Sequence, residues 1–277
     1  MTGRSEPSGL PSSWSVFAPC HDRVVVTGGG SGIGRGVALA LAEAGCTVYV
    51  LGRRIGKLEE TAALKGDAGA IVPIRCDIRD WAAVDAAFTQ IEADGPAPAL
   101  VHAASDVTHM LFEQITPEIF EAAVSTILTG TFHVIQRWGR PLRAGGLPGV
   151  AISFSSASCQ RESPAIAHSS ASKAGVEALT RTVASEWGRF GLRLNVIAPG
   201  LFPLSDTHHA DYWENEGKRI FERIPLARAG AIEEIVGPTL FMLSRAAAYM
   251  TGEIVTVDGG YKLIQWGTAR PEDFGSR

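Results

Sequence analysis

The chain reads as an α/β protein: one doubly wound domain whose parallel sheet of seven strands carries helices on both faces. Three observations predict this. Short β-branched runs alternate with stretches of helical period along most of the chain, the pattern of a parallel sheet covered by crossover helices. A length of 277 residues with a hydrophobic fraction of 45% allows one large buried core. The first clear strand also runs without a gap into a glycine-rich turn and then an apolar helical pattern, as the opening unit of such sheets does.

Residues 1–21 are rich in Ser, Pro and Gly and are expected to form a flexible extension, with Trp14 and Phe17 as its apolar anchors. The single domain is expected over 22–277. Its first strand is Arg23-Val24-Val25-Val26-Thr27, and the helix after it carries Ile33, Val37, Ala38, Leu41 and Ala44 on one face. Strands follow at 47–51, 70–72, 99–101, 150–154, 192–197 and 254–257, all β-branched or aliphatic runs bounded by turn residues. Helical stretches at 115–138 and 172–190 are apolar on more than one side, so part of each is expected to meet another subunit, giving a homotetramer or homodimer. Residues at about 200–225 mix turn formers, histidines and aromatics without a period and are expected to form a loop over the substrate. A C-terminal tail follows Gly260.

Composition excludes several classes. Lys and Arg total 25 against 29 Asp and Glu, for a formal charge of -4, and the basic residues are scattered, which argues against a nucleic-acid partner. Cys20, Cys46, Cys76 and Cys159 lie far apart with no Cys-x-x-Cys pair, a usage that fits a reducing compartment and neither a disulfide framework nor a metal site. No apolar run approaches the roughly 20 residues needed to cross a bilayer, and the first residues lack the pattern of a secretory leader. The expectation is a cytoplasmic protein with a small-molecule substrate.

The turn after the first strand reads Thr27-Gly28-Gly29-Gly30-Ser31-Gly32-Ile33-Gly34. A strand, a glycine turn and a helix start together make an anion site, because unpaired N–H groups and the positive end of the helix dipole converge where glycines permit close approach. Gly28, Gly30, Ser31, Gly32, Ile33 and Gly34 are therefore candidate dinucleotide contacts. The second strand ends in Leu51-Gly52-Arg53-Arg54. A carboxylate there would bond a free ribose 2′-hydroxyl, whereas arginines suit a 2′-phosphate. Arg53 and Arg54 thus favour NADPH, with NADP+ as its oxidised form.

The spacing Gly28, Gly32, Gly34 resembles the short-chain dehydrogenase/reductases, and the resemblance extends from Arg23 to Gly260. It implies a Rossmann fold, an adenine contact at Asp77 and Ile78 after the third strand, a cofactor wall at Ala103 and Ala104 after the fourth, and the turn Pro199-Gly200 beside the nicotinamide. Asp258-Gly259-Gly260 resembles the family's carboxy-terminal signature.

The stretch His168-Ser169-Ser170-Ala171-Ser172-Lys173 is similar to the family's Tyr-x-x-x-Lys helix, with Ser169 where the proton-donating tyrosine stands. A serine hydroxyl is far less acidic than a phenol of pKa about 10. By the same resemblance Lys173 bonds the cofactor ribose and Ser156 orients the substrate oxygen, while the relay asparagine falls on Ile127 and the Asn-Asn-Ala-Gly motif appears as His102-Ala103-Ala104-Ser105. The 2,4-dienoyl-CoA reductases also lack the tyrosine, and 173–179, 184–188 and 193–196 resemble theirs; a second tyrosine of the mitochondrial type falls on Ser158. Ser156, Ser169, Lys173 and His168 are the candidate catalytic set, with packing or capping as the alternative for each hydroxyl and histidine. His102 is a further candidate donor, with a packed histidine the better reading. Asp106, His208, His209 and Tyr212 are candidates from loops. The implied activity is NADPH-dependent reduction of a conjugated enoyl substrate or enoyl thioester. A carbonyl reductase or alcohol dehydrogenase with a relocated proton donor is the alternative within enzymes, and an inactive NADP(H)-binding sensor or scaffold the alternative outside them.

Overall fold

The computed structural model describes residues 14–105, 108–161, 163–202 and 220–263. Seven strands form one sheet in the order β3-β2-β1-β4-β5-β6-β7: β1 (Arg23–Thr27), β2 (Thr47–Gly52), β3 (Ala70–Arg75), β4 (Ala99–His102), β5 (Gly149–Phe154), β6 (Leu192–Pro199) and β7 (Ile254–Val257). Every pairing is parallel. The doubly wound sheet read from the sequence is the fold.

Side chains alternate across a pleated strand, and β1 shows the consequence. Val24 and Val26 belong to one core with Val37, Leu41 and Ile235, while Val25 belongs to the other with Leu51, Phe88 and Trp138. The first core is covered by α1 (Gly32–Glu43) and by the last helix, labelled α7 (Ile232–Leu243); the second by α3 (Trp81–Glu92) and α5 (Gly130–Ala144). Burial on both faces explains why the central strands read as unbroken β-branched runs. The shorter α2 (Ile55–Ala63) leads into β3, α4 (Pro117–Val124) precedes α5, and α6 (Ala167–Trp187) joins β5 to β6.

Three features depart from the simplest sequence pattern. β3 continues through Pro73, which an edge strand tolerates because its lost N–H can fall on the unpaired side. The stretch 115–138 is not one regular helix: Thr116 caps α4 through the Ile119 N–H, and a π turn at Ser125–Thr129 widens the backbone before α5. The N-terminal segment makes contacts with the end of α7 from Phe17 onward. The Phe17 ring lies tilted with its centroid 6.3 Å from that of Phe241, the Cys20 N–H donates to the Leu243 carbonyl at 3.1 Å, and Pro19 bridges Ser244. Arg193 closes the same corner by donating to the carbonyls of Met242 in the last turn of α7 and of Ala247 and Met250 beyond it.

Candidate active site

Strand order reverses between β1 and β4, and ligands of open parallel sheets bind at the carboxyl ends of the strands at such a switch point. The glycine turn after β1 sits there. Gly28 has φ of 70°, the left-handed region that glycine enters without penalty, and its N–H donates to the Leu51 carbonyl at 2.8 Å. A Cβ on Gly28 would lie 2.8 Å from the Ala104 nitrogen, and one on Gly34 would lie 2.4 Å from the Gly28 carbonyl oxygen. Side chains at these positions would therefore collide with the walls of the cradle. At Gly32 the α1 backbone begins with no acid in its first turn, and Ser31 makes no capping hydrogen bond. The early N–H groups, Ile33 and Gly34 included, are left to an anion, and the cradle fits a pyrophosphate.

Two residues absent from the sequence reading hold the turn. Fully buried Thr61 on α2 donates from Oγ1 to the Gly29 carbonyl at 2.9 Å, and Arg35 on α1 donates to the Gly30 carbonyl and, at 3.1 Å, to Thr61 Oγ1. Thr61 was detectable in principle, since it follows Leu58 at helical spacing on the buried side of α2. Arg53 and Arg54 close β2 and open α2, both exposed, and Lys57 stands beside Gly30, whose Cβ would meet its Cβ at 3.1 Å. Asp77 is gripped by Arg79, with Nη2 to Oδ2 at 2.6 Å and Nε to Oδ1 at 3.0 Å. That side-chain bond, aided by the Arg53 charge, holds the Asp77 carboxyl below its ordinary range. Ile78 is buried against Gly130 of α5.

The far wall is built by β5 and α6. Lys173 is only 6% exposed, and its Nζ donates to the Phe154 carbonyl at 2.7 Å. Burial pushes its pKa down to about 8. An ammonium carries three protons, so two remain beyond that bond for a ribose. Ser169 lies one turn earlier and is buried, 4% exposed. Ser156 follows β5, with its Oγ 2.7 Å from Ser158 Oγ and accepting from the Ser158 N–H at 3.2 Å. Beneath this turn, Ser155 donates to the buried Glu177 carboxylate at 2.8 Å. His168 is 2% exposed, and its Nδ1 has no partner among the described residues.

The remaining candidates divide. His102 is packed, not open: it is 2% exposed and both ring nitrogens are bonded to threonines. Burial, with the Lys173 charge adding, pushes its pKa down to about 3, so near neutrality the ring is neutral and has no imidazolium proton to give. Ile127 is buried in the π turn, and its alkyl side chain carries no relay. Gly200 donates to the Val257 carbonyl at 2.9 Å, placing Pro199-Gly200 against Asp258, whose carboxylate accepts from the Gly260 and Lys262 N–H groups at 2.8 Å. Asp106, His208, His209 and Tyr212 lie outside the described residues, as does 203–219 of the expected substrate loop. A cluster the sequence reading missed joins the β5–α6 loop to the C-terminal turn. The Arg161 guanidinium stands 4.4 Å from the Tyr261 ring centroid, and Ser163 Oγ lies 3.3 Å from the Tyr261 hydroxyl. Sequence separation hid it, since the partners are about a hundred positions apart.

The family model described as enoyl-(acyl carrier protein) reductase matches residues 28–262. The chain belongs to the short-chain dehydrogenase/reductase family. A probable 2,4-dienoyl-CoA reductase of Bacillus subtilis is 36% identical over 249 residues, spanning 88% of this chain and 96% of that protein. A putative short-chain alcohol dehydrogenase from Sinorhizobium meliloti superposes with a TM-score of 0.84 at 33% identity, covering 90% of this chain and 100% of that one. An actinorhodin polyketide ketoreductase variant solved with NADPH gives a TM-score of 0.81 at 27% identity over 86% of this chain and 96% of its own. This short-chain dehydrogenase/reductase is an oxidoreductase of a family that binds NAD(P)(H) and acts on small molecules. No described helix is long and apolar enough to cross a membrane.

Proposed function

We propose that this chain is an NADPH-dependent reductase of a conjugated enoyl substrate, in thioester or free form. The observation that carries the reading is the buried serine at position 169 one helical turn from the buried Lys173, where an acid for carbonyl reduction would stand. Conjugate reduction tolerates that loss. A reduced nicotinamide, when bound, would supply the hydride that the β-carbon accepts. The electron pair of the carbon–carbon double bond then moves onto the carbonyl oxygen as an enolate, which donors stabilise. Ser156, Ser158 and Ser169 supply those hydroxyls, and the Lys173 ammonium holds the ribose and adds positive charge. The α-carbon finally takes a proton from water or from His168, whose orphaned and buried Nδ1 calls for a ligand or water partner. The likeness to a probable 2,4-dienoyl-CoA reductase supports the substrate class.

Arg53 and Arg54, with no carboxylate at the end of β2, support the phosphorylated cofactor. Assembly as a homotetramer or homodimer through α4, α5 and α6 is supported by the exposed aromatics Phe120 (40%) on α4 and Phe132 (43%) on α5. Four free cysteines support a cytoplasmic location.

The test is NADPH absorbance during incubation with an α,β-unsaturated ketone or thioester and, separately, with its saturated counterpart. Oxidation with the unsaturated compound alone is expected. Oxidation with the saturated ketone alone would replace the reading by a carbonyl reductase with a relocated acid. Tight NADPH binding without oxidation across the panel would make the chain a sensor or scaffold.

A further inference from the structure

Five polar groups cross the buried space between the cofactor turn and the π turn. The Ala104 N–H donates to Thr27 Oγ1 at 3.3 Å, Thr27 Oγ1 lies 2.9 Å from His102 Nδ1, and His102 Nε2 lies 2.9 Å from Thr131 Oγ1. Thr131 Oγ1 in turn donates to the Ile127 carbonyl.

The proton positions follow from that last contact. Two oxygens so close repel unless a proton lies between them, and a carbonyl has none to give. The single hydroxyl proton of Thr131 therefore points at Ile127, and Thr131 must accept from His102 Nε2–H. A neutral imidazole carries one ring proton, so Nδ1 accepts from the Thr27 hydroxyl, and a lone pair of that oxygen receives the Ala104 N–H. Each donor meets an acceptor only in this arrangement with a neutral ring.

We propose that His102 is a positioning residue: as the Nε2–H tautomer it ties the Ala103-Ala104 wall of the dinucleotide cradle to the π turn at Ile127. The wall has no slack, since a Cβ on Gly28 would already lie 2.8 Å from the Ala104 nitrogen and 2.9 Å from the Ala103 carbonyl carbon. Small displacements of β4's end therefore change how closely a nucleotide approaches the glycine turn. Lys173 is near enough for its charge to act on the His102 ring, so the same tether borders the ribose side of the site. An aliphatic residue at 102 would fill the space and cut both links. The effect on the nucleotide rests on the proposed cofactor reading; the tautomer does not.

Two measurements test it. Nitrogen NMR of the whole chain labelled with 15N-histidine, with the His102 signal identified by its loss in His102→Leu, is expected to show a protonated Nε2 and a bare Nδ1, unchanged from about pH 5 to 8, where ordinary histidines titrate. A protonated Nδ1, or titration near neutrality, overturns the proposal. Calorimetry with NADPH is expected to show a Kd about tenfold weaker for Thr131→Val, with little added loss in the His102→Leu, Thr131→Val double variant, because one chain is being cut. A merely structural threonine would lower the melting temperature and leave the Kd unchanged, and that result also overturns it. If the unaltered chain binds no NADPH, the cofactor reading fails by itself and the tautomer alone decides the placement of the ring.

Discussion

Ser169 stands where the family resemblance expects a phenol, and the proposed chemistry follows from that difference: a serine hydroxyl is a hydrogen-bond donor and a far weaker acid. If Ser156 holds the developing enolate, Ser156→Ala lowers kcat by about 100-fold with little change in nucleotide affinity, measured by steady-state turnover and nucleotide titration. Lys173 is charged below its pKa of about 8 and neutral above it. An ammonium that holds the ribose is therefore lost as pH rises through about 8, and kcat/KM is expected to fall there. A profile flat to pH 10 would remove Lys173 from the account. His102 works in the opposite pH direction and on stability. Its folded pKa of about 3 lies below the free value of 6.5, so the unfolded chain binds the extra proton and stability drops as pH falls from 6.5 toward 3. One such group costs about 2 kcal/mol between pH 7 and 5. Denaturant melts should show that drop lessened by this amount in His102→Asn relative to the unaltered chain.

At the scale of elements, the βα unit is the part the sequence states most plainly. β1 and β2 are buried on both faces over most of their length, so most of their positions are aliphatic or β-branched and the pattern is plain. Gly28 and Gly34 are legible for a related reason, because only the absence of Cβ fits them. Gly34→Ala is expected to cost about 1–3 kcal/mol in thermal or denaturant unfolding and to abolish nucleotide binding, since its Cβ would lie 2.4 Å from a backbone oxygen. What stayed hidden depends on contacts between distant elements. The Arg35–Thr61 brace joins α1 to α2, Arg161 meets Tyr261 from 100 positions away, and the π turn leaves no periodic mark in a stretch that is apolar on several sides. The strand limit at β3 was missed because a proline ordinarily ends a strand, and only its edge position rescues it.

At the scale of the whole molecule, one sheet brings the glycine turn, the end of β4 and the β5–α6 serines to a single rim, although they span about 150 residues of chain. The fold was legible because alternation of strand and helix fixes a doubly wound sheet. The chemistry was only partly legible, because the family resemblance gave expected positions, while the groups at 102, 127, 158 and 169 are not the ones that resemblance implies. Exposed Phe120 and Phe132 belong to the face proposed to meet a second subunit. Sedimentation of Phe120→Glu, Phe132→Glu should show a smaller species than the unaltered chain, and an unchanged mass would move the interface elsewhere. The whole account depends on a phosphorylated nicotinamide nucleotide lying against the glycine turn. Isothermal titration of the intact protein with NADPH and with NADH is the direct measurement. The expected result is binding of both with NADPH at least about tenfold tighter, a margin that a single charged contact supplies and that disappears in Arg53→Ala, Arg54→Ala. No heat with either nucleotide, or tighter binding of NADH, would contradict it.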